Sequence, residues 1–599
     1  MTISNANRPG ALLCAVLCAP FVSCTAMSSA GPVYAAGNAG AGLVADTAIA
    51  VTEYELAPMI SAVSVGDFNA DTYPDLFIPS HGVVPNQLYI NNQDGTFTDM
   101  ATPWGIGETI LGTGAAAGDV NNDGYTDLFV VSHGVPGSPG PGACRLYLND
   151  GPGQGGAFSF TESALIAGVG GVIDAVPGGM TPAFGDLDLD GDLDLVVATW
   201  TDAPGGNRVF ENQFMQTGSA SFVDITAQVI PPPQRNIDIV HGFTPHIVDL
   251  NGDRYPEILM SADFKTSQLY VNNGPDPSGR VSFRNVSEKA GITYDRNAMG
   301  ASVADFNGDG LLDWFQTNIY FDAQRGNSLY MCTGIDAQGD PIFINQAAPR
   351  GVHDSGWSWG TVARDFDHDT DQDLLAVNGW LIDWPVEEIK LWMNDGAGFF
   401  SEAQAAAGLD IVAGARGAVA LDFDKDMDLD LVVCEYNREA VLYINSMDLS
   451  GGDANAVRVR LDTSTHPCLA PHGLGARIRA TVAGVTQLHP VHNRASFLGQ
   501  GELTAHIGLG TAPRIDTLEI TWNDGTTTTL TDVDANQEIT VHAYAEADFN
   551  RDGAVSFPDV GAYLGAFAAQ DPGADFTADG VVSFPDIGKF LGAFAAPCQ

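Results

Sequence analysis

Short apolar runs recur between residues 75 and 435, each entered through an acidic loop and bounded by Gly, Asn or His, as in Leu128-Phe-Val-Val131 and Leu431-Val-Val433. Runs of that length and setting predict buried β-strands rather than helices. A second strand follows each one and ends in a polar turn: Gln87-Leu-Tyr-Ile-Asn91, Arg145-Leu-Tyr-Leu-Asn149, Gln268-Leu-Tyr-Val-Asn272, Ser328-Leu-Tyr-Met331, Lys390-Leu-Trp-Met-Asn394 and Val441-Leu-Tyr-Ile-Asn445. A further strand carries a Phe, as in Thr96-Phe-Thr-Asp99 and Ser221-Phe-Val-Asp224, and a Gly-rich strand such as Gly112–Gly118 leads into each loop. Along each repeat the Gly-rich strand is thus first, the Leu-Tyr strand third and the Phe strand fourth. The pattern predicts four strands per repeat. A four-stranded sheet cannot bury both faces alone, so neighbouring repeats must stack, and closing them into a ring protects the edges.

The loops between the first two strands carry the chemistry. They begin at Asp67, Asp119, Asp186, Asp249, Asp305, Asp365 and Asp422, separated by 52 to 67 residues. Oxygen side chains fall at positions 1, 3, 5 and 9: Asp67, Asn69, Asp71 and Asp75; Asp119, Asn121, Asp123 and Asp127; Asp186, Asp188, Asp190 and Asp194; Asp249, Asn251, Asp253 and Glu257; Asp305, Asn307, Asp309 and Asp313; Asp365, Asp367, Asp369 and Asp373; Asp422, Asp424, Asp426 and Asp430. A hard cation such as Ca²⁺ takes six to eight oxygens at about 2.3–2.6 Å, and a tight loop with oxygens on alternate residues points them inward. One such loop also reads as a solvated turn; seven in register point to calcium. An EF-hand is excluded, because position 12 is small or apolar (Gln316 apart) and the acid stands at position 9.

These repeats resemble the FG-GAP/VCBS family, the calcium-binding propellers also found in integrin α-subunits. The resemblance covers roughly residues 45–447. It implies a mainly β chain whose residues 37–447 form a seven-bladed propeller with one Ca²⁺ loop per blade. The last repeat stops after Asn445 without its outer strand, and the stretch Thr47–Glu55 is expected to supply it and close the ring.

Composition adds a location. The 599 residues carry a net charge of −49 and a pI of about 4.1, which makes nucleic acid a poor partner. Residues 1–36 read as an export signal: Arg8 precedes an apolar run from Ala11 to Val22, too short to span a bilayer, with cleavage sites at Cys24-Thr-Ala26 or Val33-Tyr-Ala35. Phe21-Val-Ser-Cys24 is a degenerate lipobox that would place a lipid on Cys24. No later segment is long and apolar enough to be a transmembrane helix, so the protein is expected to be secreted or held at the cell surface. Cys144, Cys332, Cys434, Cys468 and Cys598 follow the signal, with no zinc-ligand spacing and no readable pairing.

Beyond a Gly/Asp/Ser linker, residues 455–543 alternate apolar and polar positions, as in Val457-Arg-Val-Arg-Leu461 and Leu518-Glu-Ile-Thr-Trp522, predicting antiparallel strands with one wet face. The run Gly473-Leu-Gly-Ala476, His506-Ile-Gly-Leu-Gly510, Trp522-Asn-Asp-Gly525 and Ala535-Asn-Gln537 resembles the ASPIC/UnbV module of cartilage-acidic-protein-like sequences, a β-sandwich, with Asn523 where that family usually has Pro. The tail, 546–599, carries a second loop type twice. Asp548, Asn550, Asp552 and Asp559, then Asp575, Thr577, Asp579 and Asp586, put the acid at position 12 ahead of a helical stretch. This duplication resembles a type I dockerin and implies two further Ca²⁺ ions and docking to a cohesin-like or cell-surface protein. Phe557-Pro558 and Phe584-Pro585 replace the small hydroxyl pair common in cellulosomal dockerins. Phe567 and Phe594 are expected between the repeats, and Phe557 and Phe584 toward a partner.

No catalytic residue or organic cofactor site is assigned. His-Glu-x-x-His, Gly-x-Ser-x-Gly and Gly-Lys-Ser/Thr motifs are missing, and Gly151-Pro-Gly153-Gln-Gly-Gly156 precedes a strand rather than a helix. The positions just past each loop-strand are polar or aromatic: His81, His133, Trp200, Asp263, Asn318, Trp380 and Glu435. They read as turn residues or, with Trp357, Trp359 and Arg416, as a glycan site in which Trp200, Trp359 and Trp380 stack on sugars. Two functions follow. The first is a secreted calcium-dependent adhesion or scaffold protein. The alternative is a tethered polysaccharide-acting hydrolase or lyase, or its accessory subunit.

Overall fold

The computed structural model describes residues 34–36 and 62–595, apart from 81, 83, 133–143, 171–178, 202–205, 232–238, 278, 293–295, 322–324, 380–386, 410–413, 436–439, 446–453, 467 and 578–579. The chain is mainly β. Seven four-stranded antiparallel sheets follow one another, as expected of propeller blades. The second is typical: Gly112–Gly118, Asp127–Ser132, Arg145–Pro152 and Phe158–Glu162 pair in order. Its two inner strands are buried along their whole length, which explains their apolar rather than alternating sequence.

Inner strands of successive sheets lie side by side and exchange hydrogen bonds. Ser64 Oγ donates to the Ala115 carbonyl at 2.7 Å, Thr113 Oγ to Gly179 at 2.7 Å, and Thr244 Oγ to Met299 at 2.8 Å. The large core side chains lie between neighbouring sheets. Phe77 and Leu88 of the first pack with Ala115 and Leu128 of the second; Phe315 of the fifth packs with Leu374 and Trp392 of the sixth.

The seventh sheet joins both ends of the repeat region. Its strands Ala415–Leu421, Asp430–Glu435 and Ala440–Asn445 are completed by Tyr34–Ala36, with Tyr34 opposite Asn445. This corrects the expected closing segment. Thr47–Glu55 lies outside the described residues, and the closing strand occupies the end of the expected signal.

Residues 455–542 form two sheets about one core that includes Val459, Ile478, Ile507, Leu518 and Trp522. One is the fully antiparallel sheet the alternation predicts. In the other, Asn455–Asp462 pairs antiparallel with Ala505–Gly510 but parallel with Gln537–His542, because the chain crosses from the first sheet before it returns. The polar face of Asn455–Asp462 is not wet either. Arg458 is 1% exposed because this face lies against the seven-sheet body.

Residues 491–504 leave this domain as a long loop that enters the middle of the seven-sheet body. Gln500 exchanges backbone hydrogen bonds with Val63 and Val65, and its side chain bonds both backbone groups of Ala117. The Leu498 carbonyl accepts from the Ala115 N–H, Asn493 bonds Pro245 and Ile247, and Ser496 Oγ donates to Thr361. At its tip Phe497 and Leu498 pack among Ala62, Met180, Phe243, Met299, Ile319 and Trp359, contributed by five sheets. Gly499 is needed here, because a Cβ would lie 2.0 Å from the Val63 carbonyl. The tail is a small helical unit, Phe557–Ala569 and Phe584–Ala595, built on the Tyr563–Phe590 ring stack at 4.1 Å.

The closing strand makes a prediction about processing. Cleavage after Ala26 preserves Tyr34–Ala36, whereas cleavage at Val33-Tyr-Ala35 cuts into it. N-terminal sequencing of exported protein is expected to find a start before Tyr34; a start beyond Ala36 would contradict this closure.

Candidate metal centres and the loop face

All seven loops share one backbone. Positions 4 and 6 are left-handed in each: Ala70 and Thr72, Asn122 and Gly124, Leu189 and Gly191, Gly252 and Arg254, Gly308 and Gly310, His368 and Thr370, Lys425 and Met427. Thr72 at φ 76° and Thr370 at φ 92° are β-branched residues in a region that disfavours them, a strain on the order of 1–3 kcal/mol each that the surrounding bonds must hold. The position 1 carboxylate accepts the N–H of position 6, at 2.8 Å for Asp67, Asp119 and Asp305. In six loops it also accepts that of position 5, as Asp67 does from Asp71 at 3.0 Å.

Position 9 ties the loop to the sheet. Its side chain is 0–2% exposed in all seven. One oxygen accepts the N–H of position 2, at 2.9 Å for Asp75, Asp127 and Asp194. In six loops the other accepts a backbone N–H from the third strand, as from Asn91 to Asp75 at 2.8 Å.

That third-strand residue is where sequence reading fell short. The Asn ending each Leu-Tyr-x-Asn run looks like a turn residue. Its Nδ2 instead donates to the position 2 carbonyl of the preceding sheet's loop: Asn149 to Phe68, Asn212 to Val120 and Asn272 to Leu187, each at 2.9 Å, Asn394 to Phe306 at 2.8 Å and Asn445 to Phe366 at 3.4 Å. Asn91 makes the same bond to Phe423 at 2.7 Å and so joins the first sheet to the seventh. The fifth sheet has Cys332 at this place. There a longer hairpin reaches back instead: Gly339 accepts from Asn251 Nδ2 at 3.1 Å, and Asp340 pairs with Arg284 and Lys289.

Carboxylate oxygens converge in three of the seven loops and in the first tail loop. Asp186, Asp188 and Asp194 bring carboxylate oxygens within 4.8 Å of one another, as do Asp365, Asp367 and Asp373; Asp422, Asp424 and Asp430; and, in the tail, Asp548, Asp552 and Asp559. The other four propeller loops carry Asn at position 3, with Asn69, Asn121, Asn251 and Asn307 each donating to the position 5 Asp. The three Asp-rich loops also have an acid at position 7: Asp192, Asp371 and Asp428. In the tail, Asp559 and Asp586 accept backbone N–H groups from Ser556 and Ser583. Asp579 lies outside the described residues.

Without a bound cation these acids would be held against their charge. Burial, then the neighbouring carboxylates, pushes Asp192 and Asp371 up to about 8 and Asp188 to about 7. Burial raises Asp119 to about 6 and Asp313 to about 8 against their backbone hydrogen bonds. Asp186, Asp194, Asp365, Asp373 and Asp430 lie well above the usual carboxylate range for the same first cause. Dense buried carboxylates with few counter-charges, grouped within 4.8 Å in three of the loops, suit a hard divalent cation.

The second domain covers this face. Asp422 Oδ2 pairs with Arg458 Nη1 at 2.7 Å, Asp249 with Arg477 at 3.4 Å, and Asp67 with Arg460 at 3.6 Å. Asn523, the departure from the usual Pro, donates to Asp186 at 3.2 Å. Four of the seven position 1 acids thus touch the second domain.

The expected glycan site does not assemble as drawn. Trp359 is buried under Arg416, whose guanidinium lies 4.5 Å above its ring, and against Phe497 at 5.1 Å; it cannot stack on a sugar. Asn318 is buried and accepts the Asn297 N–H. His81, His133 and Trp380 lie outside the described residues. Trp200 remains on the face away from the second domain, beside His241 at 5.8 Å and Phe264 at 6.1 Å, with its Nε1 donating to Asp263 at 3.1 Å. Cys144, Cys332 and Cys434 are buried thiols, and Cys468 is disulfide-bonded.

Comparison with known proteins agrees on the modules. Residues 67–130, 186–260 and 249–315 match the FG-GAP-like repeat family, and residues 469–548 match the ASPIC and UnbV family. The chain carries FG-GAP-like repeats and an ASPIC/UnbV domain. It is similar to Cartilage acidic protein 1 of Xenopus tropicalis, 26% identical over 235 residues, 36% of this chain. The match spans 30% of that relative's length. Among solved structures, the V. cholerae biofilm matrix protein Bap1 aligns over 79% of this chain and 59% of its own at 12% identity and a TM-score of 0.21, a likeness that carries no argument.

Two outcomes follow from this geometry. Asn91→Ala leaves the buried Phe423 carbonyl without its donor and is expected to cost about 1–3 kcal/mol in chemical denaturation; a change within error would contradict the clamp. The raised carboxyls set a pH dependence. A folded-state value above the unfolded ~3.9 means that the calcium-free chain is most stable below the unfolded value and loses that stability as pH rises through about 6–8. Calcium competes with those protons. The rise in melting midpoint on adding calcium should therefore be larger at pH 8 than at pH 5; the reverse order would contradict it.

Proposed function

We propose that this protein is an exported, calcium-dependent binding or scaffold protein. In this reading the seven sheets are a closed seven-bladed propeller with one Ca²⁺ in each loop. The observation that carries it is the single loop backbone repeated seven times, with position 9 buried and bonded to the strand whose terminal Asn reaches the preceding blade. The second domain covers the calcium face, so the opposite face is left for a ligand. There Trp200, His241 and Phe264 form an aromatic group in which Phe264 is 55% exposed, suited to a sugar ring or an apolar side chain. The proposed ligand is an extracellular glycan or protein. Similarity to Cartilage acidic protein 1 and the acidic, exported character of the sequence support an extracellular setting.

The tail is proposed as a dockerin-like attachment device. Phe557 and Phe584, at the start of the two helices, are 84% and 83% exposed at related positions of the duplicated unit. Phe594 and Phe567 lie beneath them, 6.2 and 6.3 Å away. A pair of exposed aromatics on a metal-stapled unit suits a protein partner better than solvent.

Two experiments test these readings. The labelled protein applied to a polysaccharide and matrix-protein array is expected to be retained with calcium, and to lose retention in EDTA or with Trp200→Ala and Phe264→Ala combined. Equal retention in all three would count against the face. Replacing both Asp548 and Asp575 by Ala should unfold the tail and release the protein into the medium while the propeller melts as before; unchanged cell association would rule out the tail as the anchor.

A further inference from the structure

The loop 491–504 brings a second feature into the middle of the molecule, one that does not depend on the calcium reading. Where it passes the fourth to seventh sheets it leaves a cavity of about 30 Å³ lined by His246, Arg364, His492, Arg494, Ser302 and Ser496 among small apolar residues. The chain as a whole has 74 acidic and 25 basic residues. This cavity reverses that balance: it is lined by two guanidinium groups and two imidazoles, and by no carboxylate.

The cations are not paired elsewhere. Arg364 is 8% exposed and donates only to carbonyls, Ala363 at 2.9 Å and Glu502 at 3.2 Å. Arg494 Nε is buried without a hydrogen-bond partner. Among the described residues neither guanidinium has a carboxylate within ion-pair distance. The nearest acid, Glu502, turns its side chain to Arg458 and to the Asp422 N–H. His492 is 5% exposed, and its Nδ1 accepts the Arg494 N–H, which leaves any ring proton on Nε2 as a donor. His246, 1% exposed, sets its Nε2 at 3.1 Å from the Ala301 carbonyl. A buried charge persists when a counter-charge satisfies it, and two like charges facing one cavity need an anion between them.

We propose that this cavity binds a small inorganic anion of halide size, held between Arg364 of the propeller and Arg494 of the ASPIC/UnbV loop. A cavity of this volume has room for at least one water-sized occupant, which admits chloride or bromide. Because one guanidinium belongs to an inner strand and the other to the inserted loop, the anion is an ionic cross-link between the two domains. It would oppose withdrawal of the loop from the propeller in the same sense as the Phe497 contacts do.

The test uses the full chain saturated with calcium. Crystals grown with bromide in place of chloride are expected to show an anomalous peak between the two guanidinium groups. In solution, at constant ionic strength, the melting midpoint should be higher in sodium chloride or bromide than in sodium gluconate. Arg494→Gln should lose that halide increment while keeping the increment from calcium. No bromide peak in the cavity, or equal midpoints in halide and gluconate, would overturn the proposal. An equal rise with phosphate would overturn the size assignment. If Arg494→Gln does not fold, the bromide peak in the unaltered chain decides alone.

Discussion

The fold depends on one buried carboxylate repeated seven times. At position 9 of each loop an acid that is 0–2% exposed faces the loop oxygens on one side and backbone N–H groups on the other. Several carboxylates within a few ångströms repel by an amount on the order of several kcal/mol per pair at intermediate dielectric. The N–H groups are fixed partial charges that offset part of this; a bound divalent cation would offset the rest. The same acid fixes the end of the third strand, whose Asn reaches the preceding sheet. Loop geometry, sheet register and sheet-to-sheet contact are therefore one linked set, and disturbing the loop charge disturbs all three.

The second domain extends that linkage. Arg458, Arg460, Arg477 and Asn523 place donors on the position 1 acids of four loops, while residues 491–504 fill the space the inner strands enclose. Phe497, Leu498 and Trp359 occupy the space between the inner strands. In the proposed reading, a ligand surface is then left at the outer face that carries Trp200 and Phe264. The same docking of the second domain explains why alternation misread Asn455–Asp462: the Arg positions face acids of the seven-sheet body, which leaves Arg458 fully buried and Arg460 half-buried.

Much of this was legible before any coordinates. The seven acidic loops and the four-strand repeat rest on local spacing, which sequence preserves. What stayed hidden depends on partners far away along the chain. Asn91 looks like any strand-ending Asn, and its acceptor, Phe423, is 332 residues distant. Residues 491–504 have no period, and the apolar pair Phe497-Leu498 among polar neighbours was the one available sign of burial. Tyr34–Ala36 carries too few residues to compete with the signal pattern beside it, and its strand character comes from pairing with Asn445. Trp359 illustrates the converse error, since an aromatic at a strand entry fits a sugar platform and a packed core equally well until its neighbours are known.

The most direct test of the central claim is a count of bound calcium. The intact exported chain, equilibrated with calcium and exchanged into volatile buffer, can be weighed by native mass spectrometry before and after chelation. Nine ions are expected, seven in the loops of the seven sheets and two in the tail, with loss of the compact charge-state distribution when they are removed. A chain that stays equally compact after chelation, or that binds ions only in the tail, would contradict the view that cations neutralise the loops on which the sheets are assembled.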